Sequence, residues 1–180
     1  MILSGNSTRE AVRLGDIVIS PFTESQLGPN SYDFKLGDRC KVYKEIHLDA
    51  RARNETKDIV VPKAGVIIRP DRVYLFNTQE TLGSEKYVPI IRGRSSVGRL
   101  GLFINITADL IDVGSINQWT LQLHAVVPVR VFPGMLIGQV TFWMIDGDVS
   151  LYRGKYANLE SPASSLSYVD FEEHAEREVN

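Results

Sequence analysis

"QWTLQLHAV", residues 118–126, carries the clearest fold signal in this chain. Trp119, Leu121 and Leu123 alternate with Thr120, Gln122 and His124. A period of two belongs to a half-buried β-strand, not to a helix. Outward from this stretch the same grammar repeats. "DIVVPKAGVIIRP" (58–70), "VYLFNTQET" (73–81), "YVPIIRG" (87–93), "LFINIT" (102–107), "VRVFPG" (129–134) and "LIGQVTFWMI" (136–145) are short, rich in Val, Ile, Phe and Tyr, and separated by Gly, Pro or Asp. Many short strands at such spacing predict an all-β jelly roll, sandwich or barrel. One residue of the opening stretch is out of keeping: Gln122 places an amide mid-strand, where burial without hydrogen bonds would be costly.

The N-terminal segment reads differently. "SGNSTREAVRLGD" (4–16) has a capping-box pattern in Ser7 and Glu10, predicting a helix of about two turns that stops at Gly15. "DIVISPF" (16–22) follows as a short strand closed by Pro21, and "LGPNSYDFKLGD" (27–38) as turn, strand, turn. No internal repeat or low-complexity linker interrupts the chain. Residues 1–162 read as one domain, whereas 163–180 are Ser-rich and then acidic, predicting a mobile tail.

At 180 residues the chain can bury a core of its own without metal or disulfide staples. Its longest apolar stretches, such as "LHAVVPV" (123–129), are too short to cross a bilayer, and no charged segment leading into an apolar one opens the chain. Cys40 is the single cysteine, so an internal disulfide is impossible and a reducing cytoplasm is expected. A net charge of −2 gives no global attraction to nucleic acid or membrane, and neither is expected as a partner. Any phosphate site must then be a local basic cluster.

"RGRSSVGRLG" (92–101) is the densest such cluster, with Arg92, Arg94 and Arg99 among Ser95, Ser96 and three glycines. Guanidinium groups grip phosphate oxygens in bidentate fashion, and hydroxyls and glycine-flanked amides add donors. Such a pattern is also that of a solvated basic turn between strands. "TADLIDVGS" (107–115) holds Asp109 and Asp112 beside Gly114. It suits either a hairpin turn or a carboxylate that orients a sugar hydroxyl or activates water. "YRGKYANLES" (152–161) gathers Tyr152, Arg153, Lys155 and Tyr156 as an anionic-ligand lid or a basic surface strand.

Zinc chemistry is not expected. Catalytic zinc needs about three close ligands, and Cys40 with the scattered His47, His124 and His174 does not supply them. The His-x-Glu and Pro-Cys-x-x-Cys signature of zinc nucleobase deaminases is missing. No Gly-x-Ser-x-Gly elbow occurs, and Cys40 has no base near it in sequence.

Taken together, "MILS" (1–4), "GPNSYDFKLG" (28–37), "GRSSVGRLGL" (93–102), "TADLID" (107–112), "PGMLIGQ" (133–139) and "YRGKY" (152–156) resemble, in this order, the dCTP deaminase branch of the dUTPase superfamily. The resemblance covers nearly the whole chain. It implies a dUTPase-like distorted jelly roll or β-barrel that assembles as a homotrimer. Active sites would lie between subunits, and a C-terminal lid segment, 152–162, would fold over the nucleotide. The implied reactions are deamination of dCTP to dUTP, release of pyrophosphate from dUTP, or both, with magnesium carried on the triphosphate rather than held by protein ligands. By position, Arg94, Ser95, Ser96 and Arg99 match triphosphate-binding and serine positions. Ala108 and Asp109 fall among the substrate-binding positions, and Asp112 matches the aspartate that contacts the deoxyribose 3′-hydroxyl and helps activate water. Gln139 matches the glutamine of "IGQ", and Tyr152 and Lys155 match tail residues that grip the phosphates.

The departures lie at the base end. Counting from Asp112, Gln122 stands where dCTP deaminases carry the glutamate that activates water. Leu110 stands at a usual arginine, Asp109 at a His or Gly, "SIN" (115–117) at an aromatic-x-Gly turn, and Leu159 at a frequent glutamine. A carboxylate can take a proton from water and return it to departing ammonia, whereas an amide has no accessible basic form. Asp109 and Glu160 are the candidates for a substitute base. The catalytic set read from the sequence is thus Gln122, Asp112 and Ser95, and three functions stay open: a dCTP deaminase, a dUTP/dCTP pyrophosphatase working through Asp112, or a non-catalytic nucleotide-binding regulator.

Overall fold

The computed structural model describes residues 1–157 and 161–178. In chain order they form α1 (Gly5–Leu14), β1 (Ile17–Ser20), a 3-10 turn (Glu24–Gln26), β2 (Tyr32–Tyr43), β3 (Thr56–Val60), β4 (Val66–Ile68), β5 (Tyr74–Thr78), β6 (Thr81–Ser84) and β7 (Tyr87–Gly93). The one-turn α2 (Ser95–Gly98), β8 (Leu102–Phe103), β9 (Thr120–Ala125), β10 (Val129–Val131), β11 (Leu136–Met144) and α3 (Ser167–Glu178) complete the described chain.

The main sheet runs β7-β11-β2-β5-β9-β8, with β3 added to β2, and two small ribbons, β1–β6 and β4–β10, extend it. All of these pairings are antiparallel. The sheet curls into a nearly closed barrel around Tyr32, Phe34, Phe76, Leu121, Leu123 and Phe142, each almost fully buried. The expected all-β class is therefore the one adopted. Strand β9 shows why: Leu121, Leu123 and Ala125 point into the core while Thr120, Gln122 and His124 stay half-buried on the other face. Among the described residues no helix is long and apolar enough to cross a membrane.

Three local expectations are corrected. Helix α1 starts earlier than the Ser7–Glu10 pattern indicates, because Ser4 Oγ accepts the Ser7 amide at 3.2 Å and serves as the N-cap. The helix does stop at Gly15, which takes the left-handed conformation that glycine adopts without a Cβ penalty. At Gly37 the chain does not turn; β2 continues through an irregularity between Leu36 and Cys40. There Asn77 Oδ1 accepts the Arg39 amide at 2.9 Å and satisfies a donor the interrupted ladder leaves over. "LFINIT" contributes only the two residues of β8. Beyond them the chain leaves the sheet and lies along β7, where the Ile91 amide donates to Asp109 O and the Ile111 amide to Pro89 O. The segment 163–180, expected to be mobile from its composition, carries a helix over Ser167–Glu178.

Candidate active site

The outward face of β9 forms the floor of a cavity of about 480 Å³. Gln122 and Thr120 rise from that strand, and Gln118 lies just ahead of it. One wall comes from the loop after β8 through Ile106, Ala108, Leu110 and Ile111; another comes from Val73, Leu75 and Tyr43. The C-terminal segment closes the mouth with Tyr156, Ser161 and residues 163–165. Segments far apart in sequence converge here because β5 pairs with both β2 and β9, setting Leu75 opposite Gln122. None of the described residues lining the cavity is acidic, basic or a histidine. Its polar lining consists of amides and hydroxyls. Gln122 itself is half-buried, and its Nε2 donates only a long contact of 3.4 Å to Thr120 O.

Ala108, Leu110, Tyr156 and, from "SIN", Ser115 and Asn117 are the other residues singled out from the sequence that line this cavity; the proposed phosphate and sugar residues fall outside it. Asp112 is exposed and lines a neighbouring hollow of about 430 Å³ with Tyr152, sharing Leu110 and Ile111 as a partition. Gly114 makes that arrangement possible. Its φ is 93°, and a Cβ there would approach the Tyr152 amide nitrogen to 3.2 Å. The Tyr152 amide can thus donate to Val113 O at 2.8 Å and tether the C-terminal segment beside Asp112. Lys155, from the same segment, is ion-paired with Asp170 of α3, which raises its pKa above the usual lysine value.

The Arg–Ser–Ser segment occupies a third place. Val97 is buried and anchors α2, while Ser95, Ser96 and Arg99 are exposed and line neither the Gln122 cavity nor the Asp112 hollow. Arg94 is half-buried, with its Nε 3.0 Å from Asp33 Oδ2. Burial pushes the Asp33 carboxyl above its ordinary pKa, and the Arg94 guanidinium offsets part of that rise. Gln139 stands between these elements, in register with Asp33 on β2 and with Arg92 on β7. Asp109 pairs with Arg92 at 3.2 Å and lines a separate hollow beside Thr107, so as a substitute base it faces away from Gln122. Glu160, the other substitute, and Leu159 lie outside the described residues. His124 packs against Phe103, ring centroids 6.5 Å apart, as a strand residue.

Two contributors to these sites carried no sequence signal, and a third, Tyr156, was expected only as part of a lid or a surface strand. Tyr43 joins the cavity across 79 residues from Gln122, and only strand order places it there. Asp33 partners Arg94 through the β2–β11 register. Tyr156 sits in "YRGKY", yet its place at the cavity mouth follows from the fold of the C-terminal segment, where its hydroxyl accepts the Leu166 amide at 2.8 Å.

Among the described residues no group of three His, Cys, Asp or Glu side chains is placed to hold a metal ion. A divalent cation in these hollows would have to bring most of its ligands with it, as a triphosphate does.

Comparison with known proteins matches this architecture. The family model described as dCTP deaminase-like matches residues 2–145. A protein of Clostridium botulinum (strain Alaska E43) named "dCTP deaminase, dUMP-forming" is 43% identical over 173 residues, covering 96% of this chain and 99% of its own. One of Cytophaga hutchinsonii with the same name is 41% identical over 174 residues, again covering 96% and 99%. A "dCTP deaminase" of Rhodopirellula baltica is 46% identical over 149 residues, 82% of this chain and 74% of its own. The crystal structure of 2′-deoxycytidine 5′-triphosphate deaminase from Agrobacterium tumefaciens superimposes with a TM-score of 0.62 at 19% identity, over 79% of this chain and 47% of that one. That likeness establishes the shared fold. With the family model spanning most of its length and relatives above 40% identity end to end, this chain belongs to the dCTP deaminase-like family.

Proposed function

We propose that this protein is a hydrolase of deoxypyrimidine nucleoside triphosphates of the dCTP deaminase type, acting on dCTP. The observation that carries the reading is the cavity in which Gln122, Ala108 and the C-terminal segment meet, beside the Asp112–Tyr152 hollow. A pyrimidine fits the amide-lined cavity, whose described lining is uncharged, and a deoxyribose hydroxyl would reach Asp112 next door. The names of relatives covering almost the whole chain support dCTP as the substrate.

The triphosphate would be gripped by Arg94, Ser95, Ser96 and Arg99 with Gln139, and by Tyr152 and Lys155 from the lid. Magnesium would travel on the triphosphate, neutralising charge there. Because Ser95, Ser96 and Arg99 do not line the base cavity within one chain, the site is completed by a second copy in a homotrimer. Leu100, Phe103, Ile106, Val126 and Val127 support this assembly, since all expose more than half of their surface although strongly apolar. The proposed substrate and the single buried thiol of Cys40 support a cytoplasmic location.

Gln122 favours a second reading, in which pyrophosphate release persists and deamination is severely slowed. Deamination needs a group that accepts a proton from water and returns one to ammonia, and positioned acid–base groups contribute about 10²–10⁴-fold in rate. No carboxylate among the described residues lines the cavity to take that part. Pyrophosphate release needs the phosphate grip and a water oriented toward the α-phosphate, for which Asp112 is available. One experiment separates the readings: dCTP and dUTP are supplied with magnesium while ammonia and pyrophosphate are followed in parallel. Ammonia from dCTP supports the deaminase; pyrophosphate without ammonia establishes the second reading. Binding with neither product would leave a nucleotide-binding regulator.

A further inference from the structure

The chain around β5 faces two different hollows. Val73 and Leu75 line the cavity over β9, whereas Tyr74, between them, lines a hollow of about 580 Å³ on the other side of the sheet. The period of two along a strand is what separates them. The floor of this second hollow is apolar, built by Val42 of β2, Ile59 of β3 and Tyr74. Its rim is cationic. Val42 is in register with Lys57 on one side and with Tyr74 on the other, and directly paired residues share a face, so Lys57 stands over that floor. Arg69 and Arg72 come from the turn between β4 and β5, where the Arg69 amide donates to the Tyr74 hydroxyl at 3.3 Å and ties the turn to the strand. Lys44, also in the lining, is neutralised by Glu55, 2.5 Å away. Lys57, Arg69 and Arg72 then face a single carboxylate, Asp71. Asp71 pairs with Arg72 at 3.3 Å in an exposed contact, of a kind that contributes little and gives way to a better anion. Lys57 and Arg69 have no ion-pair partner among the described residues.

We propose that this hollow binds a polyphosphate chain, free or carried by a nucleotide, at a place separate from the proposed substrate cavity. The whole chain carries a net charge of −2, so a surplus of cations in one hollow is a local feature and not its share of a basic surface. Arg69 and Arg72 can each take two phosphate oxygens through the planar guanidinium fork, while Lys57 adds a point charge from two strands away. A single carboxylate would engage one of these groups; a run of phosphates engages all three. The volume is that of a small-ligand site. Tyr43 is the one described residue that lines both this hollow and the cavity over β9, and it forms the wall between them. None of the residues proposed to grip the substrate phosphates lines the hollow, nor does any exposed apolar residue assigned to the trimer contact. One chain therefore supplies its whole lining.

The test is calorimetric titration of the assembled protein with inorganic tripolyphosphate and, in a second arm, with dATP. Both are run on the unmodified protein and on Arg99→Ala, which weakens the proposed substrate grip and leaves this hollow intact. Binding at the hollow is expected to survive Arg99→Ala. In Arg69→Gln/Arg72→Gln its affinity should fall at least about tenfold, because two charge-assisted contacts are lost. Lys57→Gln, on a different strand, should weaken it about threefold and serves if the double variant disturbs the turn. Tighter binding of dATP than of tripolyphosphate, lost in the same double variant, assigns the site to a nucleotide. Equal binding of the two assigns it to the phosphate chain alone. An affinity unchanged within about twofold in both the double variant and Lys57→Gln overturns the inference. So does a loss confined to Arg99→Ala, or the failure of the unmodified protein to bind either probe.

Discussion

Replacing Gln122 by Glu places a group that can cycle between base and acid where the described lining of the cavity is otherwise neutral. If the base is the sole missing part, ammonia release from dCTP is expected to rise about 10²–10⁴-fold, read in a coupled ammonia assay. No gain would mean that Leu110 and the loop after β8 have reshaped the pocket as well. Cys40 makes a contrasting prediction at the same scale. Burial, with a smaller contribution from Asp58, pushes its thiol from the usual 9.0 up to about 12. The raised value means that the folded state holds the proton more tightly than the unfolded chain does. Its contribution to stability is therefore whole below pH 9.0 and is lost as pH rises toward about 12. Native protein at pH 8 should resist iodoacetamide, whereas protein in denaturant should be alkylated at one site; rapid alkylation of the native form would contradict the burial.

Helix α1 depends on its cap at Ser4 more than on the Ser7–Glu10 pattern. Ser4→Ala removes the side-chain acceptor of the Ser7 amide and should cost about 1 kcal/mol in urea denaturation, with the slope of the transition unchanged. The loop leading into β9 depends on Gly114 in a different way. Gly114→Ala places a methyl group against Leu151 and the Tyr152 amide at a φ that L-residues rarely adopt. A cost of about 1–2 kcal/mol is expected from the backbone alone. The displaced Tyr152 should also raise KM for the nucleotide more than it lowers kcat, because the tether beside Asp112 is lost.

At the scale of the assembly, the separation of Arg99 from the Gln122 cavity within one chain makes a prediction about mixtures. If each site takes its Arg–Ser–Ser segment from one copy and Asp112 from the next, Arg99→Ala and Asp112→Ala should each be inactive alone. Unfolded together in equal amounts and refolded, they should recover about a quarter of the unmodified activity, since one interface in four joins two intact halves. Sedimentation of the unmodified protein should give three times the chain mass. A monomer, or no recovery on mixing, would place the whole site within one chain.

The strands and the family were legible from the residues alone. Alternation in 118–126 defines β9, and "GRSSVGRLGL" with "TADLID" marks the family and the departures from it, because local pattern and short motifs depend only on neighbours in sequence. What touches what was not legible. Periodicity places Gln122 opposite the core-facing residues of β9, but not beneath a cavity closed by Tyr43 and Tyr156. It gives no hint that Asp109 is paired with Arg92, nor that Asp33 engages Arg94. It also misjudged the start of α1 and the length of β8, where the boundary is set by a hydrogen bond to Ser4 and by the loop that lies along β7. Sequence by itself determined the all-β class, the family's motifs and the amide in the middle of β9. The tertiary structure alone decided which of those residues share a cavity and which lie in separate hollows, because strand order and register bring together groups that the chain holds many residues apart.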